Sequence, residues 1–131
     1  HVSLYILRLF QVYGEGELHT RLWPSLISAA MNNEDFKMTK GEQIRDFLHV
    51  SIVAQILYRY TDQMFSIPED HSHILIDNVG SGQPLSIAEF AKKIWLENSA
   101  KGKLLIGNLP YRDREVMRYV PLLGTPLLLS L

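Results

Sequence analysis

Apolar positions along this chain change their spacing several times, and each change marks an element. Val2 to Val12 is nearly continuous and rich in sheet formers, which predicts a strand buried on both faces, closed by the turn Gly14-Glu15-Gly16. Trp23, Leu26, Ile27, Ala30 and Met31 then recur at helical spacing, predicting a helix over about 22–31 with Pro24 in its first turn and Asn32-Asn33 at its end. Phe36 to Thr39 and Ile44 to Val50 read as short strands. Ser51 is placed to cap a helix whose inner face is Ile52, Val53, Ile56, Leu57 and Tyr60, and which stops before Pro68.

His73 to Val79 reads as a further strand. Ser86 and Glu89 stand in capping-box register before Ile87, Phe90, Ala91, Ile94 and Trp95, so a helix begins there, with Gly102 closing it and Lys103 to Gly107 forming a last strand. Strands alternating with helices predict right-handed crossovers and a largely parallel α/β sheet in one domain. No internal repeat or linker divides the chain.

One charge interrupts this pattern. In Gly41 to Val50, GEQIRDFLHV, alternation sets Ile44, Asp46, Leu48 and Val50 on one side and Arg45, Phe47 and His49 on the other. An arginine beside aromatic and imidazole rings has two readings. Its planar fork suits a phosphate held bidentately, or it forms an ion pair with a nearby carboxylate, as buried charges usually do.

Three stretches in this order, LRLFQVYGEGE (Leu7 to Glu17), GEQIRDFLHV and NVGSGQPLSIAEFAKKI (Asn78 to Ile94), resemble the C-terminal part of the extended short-chain dehydrogenase/reductases. These are the NAD-dependent sugar-nucleotide epimerases, dehydratases and reductases, and the likeness runs over about residues 4–119. It implies an α/β fold: the C-terminal portion of an extended Rossmann-type enzyme, largely parallel strands with amphipathic helices. The family's glycine-rich dinucleotide loop has no counterpart, and none of Tyr5, Tyr13, Tyr58, Tyr60, Tyr111 and Tyr119 has Lys four residues on, as its Tyr-x-x-x-Lys requires. The expectation is a single C-terminal substrate-binding segment, residues 1–131, without the N-terminal dinucleotide-binding part.

The resemblance also names site residues. It implies that Gln11 contacts the sugar or its phosphate, although the family generally has Asn there, and that Phe36 and Met38 lie where a nucleotide base is laid along a strand edge. Arg112 and Glu115 fit an Arg-x-x-Glu/Asp motif whose arginine reaches the diphosphate and whose acid reaches the ribose hydroxyls, so Arg45 and Arg112 would clamp one diphosphate. Each has a plainer reading: Gln11 as a loop amide bonded to backbone, Phe36 and Met38 as core, and Tyr111 to Glu115 as a solvated charged loop. Glu15 replaces a common family proline, and Pro24-Ser25 opens a helix whose amides could approach a diphosphate.

Composition narrows the classes. With 47% hydrophobic residues, 21% charged and a formal net charge of -1, the chain has a core to bury and no basic footprint for nucleic acid. The lack of cysteine excludes a disulfide framework, a thiolate nucleophile and a cysteine zinc site, and agrees with a cytoplasmic location. His71 and His73 would point one way from a strand, but no third ligand stands at a recognisable spacing, so no metal site is expected. Gly80-Ser81-Gly82 lacks the third glycine and the GK[ST] ending of a phosphate loop and reads as a tight turn. No stretch is apolar for the ~18 residues a membrane span needs.

The expected function is binding of a nucleotide-diphosphate sugar within an NAD(P)-dependent epimerase, dehydratase or reductase. The cofactor, NAD or NADP, belongs to the intact enzyme, and neither catalytic nor cofactor-binding residues are expected in this segment. The alternative is a stand-alone, non-catalytic nucleotide-sugar binding or protein-interaction module. The tail from Val120 to Leu131, apolar and broken by Pro121, Gly124 and Pro126, departs from the family's longer helical end and suggests surface prone to homo-oligomerisation or other association.

Overall fold

A computed structural model describes residues 3–66 and 74–124; the Glu69 to His73 cluster and the chain from Thr125 lie outside them. The order is β1 (Leu4–Leu9), β2 (Val12–Tyr13), α1 (Leu22–Asn32), β3 (Phe36–Met38), β4 (Ile44–Arg45), β5 (Leu48–His49), α2 (Val50–Phe65), β6 (Ile74–Val79), β7 (Leu85–Ser86), α3 (Ile87–Glu97), β8 (Leu104–Ile106) and β9 (Arg118–Tyr119). The fold is mixed α/β with parallel strand pairs.

The strands form four small sheets instead of one continuous sheet. β1 pairs with β6, β2 with β5, β3 with β8 and β4 with β9, all parallel, while β4 also takes β7 antiparallel. The expected strand 44–50 is therefore two strands in different sheets. The break falls at Asp46, 1% exposed, whose carboxylate accepts the amides of Ser81 at 2.6 Å and Gly82 at 2.8 Å. A side chain acting as a backbone partner ends the ladder there.

Two cores result. α1 and α3 pack together through Leu26, Ala29, Ala30, Phe90, Ala91, Ile94 and Trp95, with Met38 of β3 beneath them. α2 covers one face of β1–β6 through Val53 and Tyr60, against Leu48 and Val79. Tyr60 donates to Asp77 Oδ2 at 2.5 Å; burial, and then the bond and charge of Asp77, push its phenol up. Met31 and Leu57, placed on inner faces by spacing alone, are exposed.

The ends differ in instructive ways. Asn33 closes α1 at φ 57°, and Ser86 with Glu89 forms the full capping box of α3. α2 starts earlier than Ser51 suggested: His49 is the cap, its Nδ1 accepting the Ser51 amide. Gly102 does not close α3, whose cap is Asn98. It is needed elsewhere, because a Cβ at 102 would lie 2.1 Å from the Glu34 carbonyl oxygen, where the chain enters β8 beside β3. Among the described residues no helix is long and apolar enough to cross a membrane.

Candidate functional site

Between α1, β3, β4 and the segment after β8 lies a cavity of about 630 Å³. The sequence turns toward it at each step for a local reason. β1 and β2 deliver Gln11 and Tyr13 at their carboxyl ends, where α/β folds generally bind ligands. Their side is continued by the start of α1, where Leu22, Trp23 and Ser25 face the cavity. Arg21 caps α1 without a side-chain bond, which leaves first-turn amides free of a capping oxygen.

All six residues named by the resemblance line this one cavity: Gln11, Phe36, Met38, Arg45, Arg112 and Glu115. Met38 is also buried in the first core and Phe36 packs against it, so the core reading and a wall position coexist. The side-chain amide of Gln11 makes no hydrogen bond to a described residue, and its backbone carbonyl accepts from Leu48 at 3.0 Å. The loop-amide reading is thus met by its backbone and not by its side chain.

Arg45 is the most constrained. Its Nη1 donates to Ile44 O at 2.8 Å and its Nη2 to Val116 O at 2.7 Å, with Glu115 Oε1 3.6 Å from the same nitrogen. The ion pair and the cavity position are therefore both real. Ile44 N bonds Met117 O at 2.8 Å, and Tyr111 Oη accepts from Glu42 N and donates to Glu42 Oε2, so β4 and the 111–117 segment are strapped together. Arg112, on that segment, is exposed and has no ion pair or hydrogen bond with a described residue.

The wall holds further groups, of which the sequence had set only Phe47 beside Arg45. Phe47 stacks on Phe90 with ring centroids 3.8 Å apart, and Tyr13 meets Phe90 edge-on at 4.9 Å, giving an apolar side. Burial, and secondarily the charge of Glu97, push the Tyr13 phenol up. Lys37, Arg21, Glu17 and Gln43 add polar groups. Gln43 was findable: it stands two residues before Arg45, so the alternation that placed Arg45 places it on the same side. Glu17 follows the Gly14-Glu15-Gly16 turn and carries no periodic signal.

The cavity thus combines cations, acceptors and aromatic faces, a set suited to an anion joined to a hydroxylated, partly flat molecule. Among the described residues no group of His, Asp and Glu could hold a metal ion. Nor does the Gly80-Ser81-Gly82 turn fit a dinucleotide diphosphate, because the amides of Ser81 and Gly82 are bonded to Asp46.

Residues 1–76 match the model of the NAD dependent epimerase/dehydratase family. The chain is 30% identical over 111 residues to CDP-abequose synthase of Salmonella muenchen, which takes in 85% of this chain and 36% of the synthase. It is similar to the solved structure of MoeE5 in complex with UDP-glucuronic acid and NAD, with TM-score 0.66, 27% identity, and coverage of 91% of this chain and 38% of MoeE5. UDP-glucose 4-epimerase of Thermotoga maritima, solved with UDP-glucose, shares the fold at TM-score 0.65 and 16% identity, covering 87% of this chain and 35% of the epimerase. The chain therefore spans little more than a third of these proteins.

Proposed function

The chain belongs to the NAD dependent epimerase/dehydratase family, and on that premise we propose that its cavity binds a nucleotide-diphosphate sugar. One observation carries the reading: Gln11, Phe36, Met38, Arg45, Arg112 and Glu115, scattered over more than a hundred positions, meet around one cavity. Arg112 supplies for the diphosphate a fork with no partner among the described residues, the start of α1 adds amides, and Arg45 lines the same cavity. Phe36 and Met38 begin and end β3, which pairs with β8 along one edge, and in this reading the base lies along the strand's other edge. MoeE5, with UDP-glucuronic acid bound, supports this ligand class.

In this reading the segment is the substrate-binding part of an NAD(P)-dependent enzyme that epimerises, dehydrates or reduces a sugar nucleotide. Bound NAD(P) would exchange a hydride with the sugar. The Gly80-Ser81-Gly82 turn has no free amides for that cofactor's diphosphate, and in this reading the chain's own part is to hold and orient the sugar nucleotide. Calorimetric titration of the 131-residue chain with UDP-glucose and CDP-glucose tests the reading. Saturable binding that inorganic phosphate does not reproduce is expected; no binding of either nucleotide sugar would overturn it.

A second reading, association with another protein surface, is favoured by one face of β1–β6. Leu4 and Ile6 stand in register with Ile74 and Ile76, and all four are exposed on the side away from α2. Parallel sheets are normally covered on both faces.

A further inference from the structure

Two oxygens in the cavity wall ask for something a diphosphate cannot give. Gln43 is 3% exposed, yet its Oε1 has no hydrogen-bond partner among the described residues; Glu17 Oε2 is likewise buried and without a partner among them, its other oxygen lying 3.5 Å from Arg21. Both residues border the cavity that Arg45 and Arg112 border. A buried oxygen without a donor is rare in folded proteins and destabilises the free state.

Gln43 is not loosely placed. Its carbonyl accepts the Ile87 amide at 2.9 Å, and the next residue, Ile44, lies in a strand held between β7 and β9. The backbone therefore presents the side chain to the cavity, on the side Arg45 occupies. Oxygens of this kind only accept. Ionised phosphate only accepts too, so the anionic part of a ligand leaves Gln43 Oε1 as it found it. Hydroxyl groups satisfy it.

We infer that Gln43 is a specificity residue that receives a hydroxyl hydrogen from the ligand, so that the cavity selects a hydroxylated nucleotide sugar over a bare diphosphate. This rests on the nucleotide-sugar reading above and adds to it a residue that the family resemblance does not name. The donor is a hydroxyl of the ribose or of the transferred sugar. A site built to bond a hydroxyl rejects the analogue that lacks it far more strongly than an apolar pocket does.

The experiment measures ligand affinity and free-state melting temperature for the wild-type chain and Gln43→Met, which keeps the length of the side chain and removes its polar atoms. The probes are UDP-glucose, UDP, 2′-deoxy-UDP-glucose and inorganic diphosphate. Gln43→Met is expected to bind UDP-glucose at least about tenfold more weakly while melting no lower than wild type, and to bind inorganic diphosphate as wild type does. A loss that persists with UDP and vanishes with the 2′-deoxy compound assigns the ribose 2′-hydroxyl, one that persists with all three nucleotides assigns the 3′-hydroxyl, and one shared by UDP-glucose and its 2′-deoxy analogue but absent with UDP assigns the transferred sugar. In the wild type, the Gln43 side-chain amide resonances should shift with UDP-glucose and not with inorganic diphosphate, a readout that needs no variant. Equal binding of UDP-glucose by both proteins, a lower melting temperature with unchanged affinity, or unmoved resonances would overturn the inference and leave the nucleotide-sugar reading standing. Failure of the wild type to bind any nucleotide would remove both.

Discussion

Arg45 Nη2 lies 2.7 Å from the carbonyl of Val116 and 3.6 Å from Glu115 Oε1, so the guanidinium that faces the cavity also fastens the segment carrying Arg112. The two arginines proposed for one diphosphate are therefore unequal. Arg45, its side chain 12% exposed, works for the fold and the ligand together; Arg112 has no protein partner to lose among the described residues.

Arg112→Ala should weaken UDP-glucose binding about tenfold or more, the loss of a charge-assisted hydrogen bond of roughly 1.5–3 kcal/mol, with no change in melting temperature. Arg45→Ala should lower both affinity and melting temperature. Lysine at either position should restore little, because it keeps the charge and loses the fork. Titration calorimetry beside thermal melting separates these outcomes; a stable Arg45→Ala would show that the strap is dispensable.

Asp46→Ala should be among the costliest single changes. It strips the partner from two amides, Ser81 and Gly82, in a place with no room for rearrangement: a Cβ at Gly80 would already meet Pro121 Cγ at 2.6 Å. A loss of about 3 kcal/mol is expected, checked by denaturant unfolding, with Asn, which keeps one acceptor oxygen, falling between.

Much of this was legible in the sequence, and the misses have physical causes. Helix α3 announced itself because Ser86, Glu89 and a clean apolar face are local features, and the same holds for Asn33 at the end of α1. The strand through Arg45 was misjudged because its ladder ends at Asp46, whose partners Ser81 and Gly82 lie 35 and 36 residues away. β2, β7 and β9 are two residues each, too short for any period to show. In the site, the expectation that Arg45 and Arg112 meet came from the family resemblance and alternation reaches Gln43, whereas Glu17 and the missing partners of both oxygens needed the cavity to be seen. Whether a residue is an orphan is a property of its surroundings.

The capping box gives a pH signature with a definite sign. The Ser86 hydroxyl, then the Ser86 backbone N–H, hold the Glu89 carboxyl below its ordinary value of 4.5. A depressed carboxyl stabilises the fold above the ordinary range, and the benefit is lost as pH falls through the folded value. Glu89→Gln keeps an acceptor for the cap and does not titrate. Its melting temperature should therefore approach that of wild type as pH is lowered through the carboxylate range, while at neutral pH wild type is higher. Ser86→Ala should cost about 1 kcal/mol at neutral pH.

Hydride transfer is not expected from the 131-residue chain alone. The turn Gly80-Ser81-Gly82 is committed to Asp46, and no tyrosine has its lysine four residues on. Incubation with NAD or NADP and UDP-glucose should give no change in nicotinamide absorbance. Reproducible turnover by the purified chain would require a cofactor site outside the described residues.

The uncovered face of β1–β6 sets the last expectation. Leu4, Ile6, Ile74 and Ile76 form a contiguous apolar patch, with Ile74 69% exposed, while the alternate residues Tyr5, Leu7 and Leu75 are packed under α2. The sheet has two strands among the described residues, so its outer edges carry backbone groups without a ladder partner. Apolar surface next to open strand edges favours pairing with another chain. The purified chain should therefore self-associate with rising concentration in sedimentation velocity, and Ile6→Lys with Ile76→Lys should shift it to monomer without unfolding it, because neither side chain is buried in a core. A wild-type chain that stays monomeric at high concentration, or a double variant that associates as strongly as wild type, would show that this face is not the contact.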